Sequence, residues 1–196
     1  ETSKIDIKEN GDLILAENGK AKSKDNEIEI EALKFIYKKK LNLLEAFNGT
    51  ALIKTDDIKI VFTEIRIDQK NLLISTKNKT TIYDLNNDLV LETEEVNFNR
   101  KSKILSSEKK SVLTDKFDNK FETKYFHFNI NKNILKIKNS VIKDLNDNKI
   151  EMELGYINTK SNKLFGKDIG IILNNKTFNQ KNEPRLKGNS IIYDDK

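Results

Sequence analysis

His127 is the only histidine among the 196 residues of the chain, and it lies between Phe126 and Phe128 in "YFHFN". A nucleophile–His–carboxylate relay or a His-rich metal centre needs partners at matched spacing. His127 has none in sight, and alternation along an extended segment turns it away from the face carrying the two phenylalanines. Carboxylates are plentiful, with adjacent pairs at Asp56-Asp57 and Glu94-Glu95. They gather where the chain must turn, so turn chemistry and solubility explain them better than calcium coordination or acid–base catalysis. The two glycines of "LFGKDIG", Gly166 and Gly170, lack the spacing and the Lys-Ser/Thr ending of a phosphate-cradling loop. Lys38-Lys39-Lys40 and Lys109-Lys110 read as solvated loop tips, and the absence of Cys excludes disulfides and thiolate zinc sites. The expectation is a non-enzymatic chain with no catalytic residue, no metal and no cofactor.

What can position anything in this chain is its apolar pattern. The hydrophobic fraction is 36% against 34% charged, so each apolar residue must be placed on one face of an element for burial to outweigh chain entropy. The length suits one domain with a real core. The net charge of +5 is mild and its lysines are dispersed, which argues against a nucleic-acid partner. No apolar run approaches the roughly 20 residues of a membrane-spanning helix. The chain opens at Glu1 without a signal peptide and ends in polar text at "IIYDDK", which suits a processed or excised fragment.

One spacing recurs about every 30 residues: apolar residues at i, i+2 and i+4, a three-residue step, then i+7 and i+9. It reads Ile28, Ile30, Ala32, Phe35, Tyr37, then Ile58, Ile60, Phe62, Ile65, Ile67, then Leu89, Leu91, Thr93, Val96, Phe98. A fourth copy has Phe121, Thr123, Phe126 and Phe128 behind the polar Asn119. A fifth reads Ile150, Met152, Leu154 and Ile157, with Thr159 in the last place. Each copy follows an Asn/Asp cluster (Asp25-Asn26, Asp56-Asp57, Asn86-Asn87, Asp118-Asn119, Asn146-Asp147-Asn148) and leads through a second polar turn into another apolar segment. Asn18-Gly19, Asn48-Gly49 and Asn78-Lys79, spaced 30 apart, read as further turns.

Five two-strand repeats without helical periodicity predict an all-β fold, either a solenoid-like stack or a folded-over sandwich, and five corners in register favour a bent sandwich or β-jellyroll. The three-residue step predicts a bulge or corner that keeps both halves of a strand facing the same concave side. The inward set by this parity is Phe35, Tyr37, Ile60, Phe62, Ile65, Ile67, Leu91, Val96, Phe98, Phe126 and Phe128, with Ile36 facing out. These are either an ordinary core or, where the sandwich is open along one edge, the lining of a lipid groove.

Residues 14–37, "ILAENGKAKSKDNEIEIEALKFIY", and 43–68, "LLEAFNGTALIKTDDIKIVFTEIRID", resemble the repeat of the OstA-like domains of lipopolysaccharide-transport proteins. Both carry a small-residue Asn-Gly turn, a strand ending in an acidic turn and an alternating strand. The Ala-Asp pair common in that family's last strand is not kept, since the corresponding text reads "EALKFIYKK" and "TEIRIDQK". The segment 182–195, "NEPRLKGNSIIYDD", resembles the passage from periplasmic domain to β-barrel in the LptD family of outer-membrane lipopolysaccharide-assembly proteins. The resemblance implies a β-jellyroll over 1–178, and a linker over 179–196 leading toward a C-terminal β-barrel. It implies a periplasmic location and an interior, lined by the inward set, that receives lipopolysaccharide acyl chains. It implies as partners a like bridge domain joined edge to edge by β-augmentation, and the chain's own barrel with its lipoprotein plug. The alternatives are a free-standing periplasmic bridge protein of the same fold, a structural or adhesive β-solenoid without a lipid ligand and, third, a carbohydrate-active β-helix enzyme, which would need carboxylates clustered on a sheet face.

Overall fold

In the computed structural model of the chain, the described residues are 2–116, 118–143, 148–161, 163–174 and 185–194. Residues 146–147 of the last predicted turn cluster and 182–184 of the C-terminal motif lie outside them. Strands make up 72% of the structure and no α-helix is present among the described residues. The strands are β1 (Thr2–Lys8), β2 (Leu13–Lys22), β3 (Ile28–Lys38), β4 (Leu43–Ile53), β5 (Ile58–Asp68), β6 (Leu73–Asp84), β7 (Leu89–Thr93) and β8 (Val96–Asn99). They continue as β9 (Ile104–Ser107), β10 (Ser111–Thr114), β11 (Lys120–Thr123), β12 (Tyr125–Asn129), β13 (Ile134–Lys143), β14 (Lys149–Asn158), β15 (Lys163–Ile172) and β16 (Arg185–Asp194).

Every pairing is antiparallel, and from β1 to β6 each strand pairs with the next. In the middle of the chain the strands divide. β7 with β8, β9 with β10 and β11 with β12 are the two halves of single passes, each broken where the long strands bend. Residues 80–84 of β6 pair with β7, and residues 73–76 pair with β8. β13 pairs in the same way with β11 and β12. The pairing therefore closes an eight-membered antiparallel ring, β6-β7-β10-β11-β13-β12-β9-β8. It has two three-stranded layers, β8-β9-β12 and β7-β10-β11, bridged on either side by β6 and β13. β14 and β15 extend the sheet beyond β13, and β16 pairs with β15 from Arg185 to Asp194. The expected linker over 179–196 thus contains a strand of the sheet.

The corner keeps its inner face. In β5, Phe62 and Ile65 are both buried, with the half-buried Thr63 and Glu64 between them. Ala32 and Phe35, Thr93 and Val96, and Thr123 and Phe126 are likewise both buried, across two residues that are half-buried or exposed. An extra residue is needed at the bend, and its backbone is left-handed in the partner strands: Asn18, Asn48, Asn78, Asn139 and Asp168 have φ between 48° and 64°. Asn18, Asn48 and Asn78 were expected to reverse the chain. Instead they sit inside β2, β4 and β6, as Asn139 and Asp168 do inside β13 and β15, where their tolerance of positive φ bends a continuous strand.

The fifth repeat is displaced by one pair of residues. The step falls between the buried Met152 and Gly155, with Leu154 only half-buried, rather than between Leu154 and Ile157. Gly155 carries no side chain and so is silent in an apolar pattern. A Cβ there would come within 2.5 Å of Met152 Sδ and 3.0 Å of Ile137 Cγ1, so the Met152 side chain occupies the space that residue 155 leaves. Thr159 lies beyond β14, in the turn that follows it.

Candidate functional site

Ten of the eleven residues expected to face inward are at most 5% exposed: Phe35, Ile60, Phe62, Ile65, Ile67, Leu91, Val96, Phe98, Phe126 and Phe128. All ten belong to one cluster. Tyr37 is half-buried, its hydroxyl 3.5 Å from Asn42 Oδ1. Register shows how they are joined. In one layer, directly opposed residues run Ile7, Ile14, Tyr37, Leu44, Ile67, Ile74 from β1 to β6. The row continues as Phe98, Leu105, Phe128, Leu135, Ile157 and Leu164. In the other layer a second row runs from Ala21 through Ile30, Ala51, Ile60, Ile82 and Leu91. It passes by Leu113, Phe121, Ile142 and Ile150 to Ile171 and Leu186. A two-residue period, held in phase through every turn, is what lines up these rows.

The rows are covered in the middle, and each is bare at one end, the first at Ile7 and the second at Leu186. Over the ring the layers pack against each other around a void of only about 10 Å³, lined by Ile58, Asp84, Leu89, Leu105, Phe126 and Phe128 among others. That is barely the room one water needs. On the outer strands the same inward positions meet solvent: Ile5 is 58% exposed, Ile7 63% and Leu186 58%.

At the corner, where the middle passes lose their ladder, buried hydroxyls replace it. Thr76 Oγ1 accepts from Val96 N at 3.2 Å and from Thr80 Oγ1 at 2.8 Å. Ser111 donates to Thr93 Oγ1 at 3.0 Å, and Thr93 lies 3.2 Å from Ser107 Oγ. Ser140 donates to Thr123 Oγ1 at 2.9 Å, and Thr123 donates to the Lys138 carbonyl at 2.9 Å. Thr93 and Thr123 stand in apolar places of the repeat because the break in the sheet leaves main-chain groups that an aliphatic side chain would orphan.

Opposite the corner, the turns of one layer meet those of the other and form a mouth. Arg100 Nη2, in the β8–β9 turn, lies 2.5 Å from Glu27 Oε2 beside β3. Lys103 Nζ, in the same turn, lies 2.7 Å from Asp56 in the β4–β5 turn. Farther along, Thr159 Oγ1 donates to Asn87 Oδ1 at 3.3 Å. Just inside, burial raises the pKa of Asp84, against the hydrogen bonds it accepts from the Asn86 and Asn87 main chain and the Asn87 side chain. Pattern reading placed Asp56 only as a turn former and Arg100 only in a polar loop. The available signal was the contrast between the basic "RKSK" turn and the acidic "DNE" and "TDD" turns.

His127 is on the outer face, opposite Ser106 and Lys136, beside a polar depression that includes Glu95, Asn97 and Tyr125. Among the described residues no group of three or more His, Asp or Glu could hold a metal ion. Compared with known proteins, the chain matches no family model and no curated sequence.

Proposed function

We propose that the chain is a non-enzymatic, lipid-handling β-jellyroll that takes acyl chains of lipopolysaccharide between its two layers during transport to the outer membrane. The observation that carries this reading is the pair of apolar rows, which together span the first strand to the last, one bare at Ile7 on β1 and the other at Leu186 on β16. A self-contained core has no use for inward-facing Ile5, Ile7 and Leu186 in solvent. An acyl chain gains about 0.8 kcal/mol for each methylene kept from water, so passage along a stripe that continues past the domain's own edge keeps burial nearly constant. Among the described residues β1 and β16 each pair on one side only, and their outer edges suit extension of the stripe by β-augmentation with a like periplasmic domain. The resemblance of 182–195 to the LptD family supports a place beside an outer-membrane barrel and its lipoprotein plug.

A second reading, an interaction domain without a lipid ligand, is favoured by the filled interior: with a void of about 10 Å³, nothing enters until the layers part. Photo-crosslinking residues at Phe62 and Phe98 separate the two. Adducts with lipopolysaccharide in cells are expected at these buried positions. Adducts confined to surface controls would rule out the transport reading in favour of the second.

A further inference from the structure

The β8–β9 turn is the point at which the mouth is held by charge. It carries Arg100 and Lys103 into contact with two different turns of the opposite layer, through Glu27 and Asp56. Both pairs are partly withdrawn from water: the side chains of Arg100 and Asp56 are 12% and 5% exposed. Losing one partner of such a pair is costly, because it leaves the other charge partly buried and uncompensated. The closed arrangement is also imperfect, because Arg100 Nε is buried with no acceptor among the described residues. The interior void lies directly behind this turn. Leu105, two residues from Lys103, and Ile58, two residues from Asp56, both line it. Contact between the layers is therefore ionic at the rim, with the small void just beneath.

We propose that the β8–β9 turn is an electrostatic latch on a lateral entrance. Arg100 and Lys103 hold the mouth shut through Glu27 and Asp56, and a phosphate-bearing amphiphile opens it by taking these two cations from the carboxylates. The guanidinium of Arg100 suits this exchange, since carboxylate and phosphate present the same paired acceptors to it. The apolar tail then enters between the layers over Leu105 and Phe128, while the phosphate stays at the rim. The proposal rests on the lipid-handling reading for its ligand, but not for the latch itself.

The chain has no Cys, so spin labels can be placed at Asn26→Cys and Lys101→Cys, on exposed tips either side of the mouth. Pulsed dipolar spectroscopy then reads the gap, with circular dichroism confirming that each variant is folded. The background protein should give a short, narrow distance distribution. E27Q/D56N should shift it to longer, broader distances, and the charge swap E27R/R100E, which exchanges the partners of one pair and leaves Asp56–Lys103 in place, should keep the short one. Dodecyl phosphate should open the unsubstituted mouth, whereas dodecyl maltoside and inorganic phosphate should not. A closed mouth in E27Q/D56N overturns the latch, whatever the crosslinkers capture. An open mouth in E27Q/D56N with no response to dodecyl phosphate overturns the exchange. If the crosslinkers at Phe62 and Phe98 also capture nothing, the lipid-handling reading falls with it.

Discussion

Two glycines at the corner show how tightly single positions are specified. A Cβ on Gly49 would come within 2.1 Å of the Glu31 carbonyl oxygen and 2.7 Å of Ala32 Cβ, so it would strike backbone that cannot turn aside. At Gly155 the obstruction is the Met152 thioether, which can rotate, together with the Ile137 side chain. Gly49→Ala is therefore expected to cost about 3 kcal/mol, at the upper end of overpacking effects, and Gly155→Ala about 1 kcal/mol. Urea denaturation of each variant checks the order. Met152→Ala should lessen the penalty of Gly155→Ala in a double-mutant cycle and leave that of Gly49→Ala unchanged.

Strands answer to a different constraint, the need to bend without leaving main-chain groups unpaired. Alternate long strands, β2, β4, β6, β13 and β15, bend on a left-handed Asn or Asp and stay continuous. The middle passes break, and buried Thr and Ser side chains complete them. Thr76→Val keeps the shape of the side chain but removes the acceptor of the Val96 N–H and leaves the Thr80 hydroxyl only the Asn78 carbonyl. A loss of about 1–3 kcal/mol is expected. Amide exchange should quicken at Val96 before it does at Ile137, which is paired deep in the layer; uniform exchange across both would contradict the assignment. How far these elements were legible in the sequence follows the same division. The apolar parity of Phe62 and Ile65, and of Val96 and Phe98, was readable because side chains alternate with period two and a slip is visible against it. Gly155 was not, because a missing side chain leaves no mark in an apolar pattern. Asn48 gave the right backbone preference and the wrong consequence, since positive φ serves a bend inside a strand as well as a reversal. The Arg100–Glu27 contact spans 73 residues and depends on how far the two layers are offset, which no local spacing encodes.

For the whole molecule, the bare ends of the apolar rows matter most. Ile5 and Ile7 lie on an edge strand whose outer ladder is open, the arrangement most prone to pairing with another chain. Replacing both with Lys removes apolar surface that folding does not bury. Stability should change by less than about 0.5 kcal/mol, while concentration-dependent self-association, measured by sedimentation velocity, should fall. Association unaltered by the double substitution would locate any contact elsewhere. The strand order carries a kinetic consequence as well. From β1 to β6, and again from β13 to β16, each strand's partner is its neighbour in the chain, so these contacts form through short loop closures, which favours rapid folding. The halves in the ring are held from two sides, by β6 and by β13. Heat or force should therefore peel the domain from its edges inward, with the ring the last part to open.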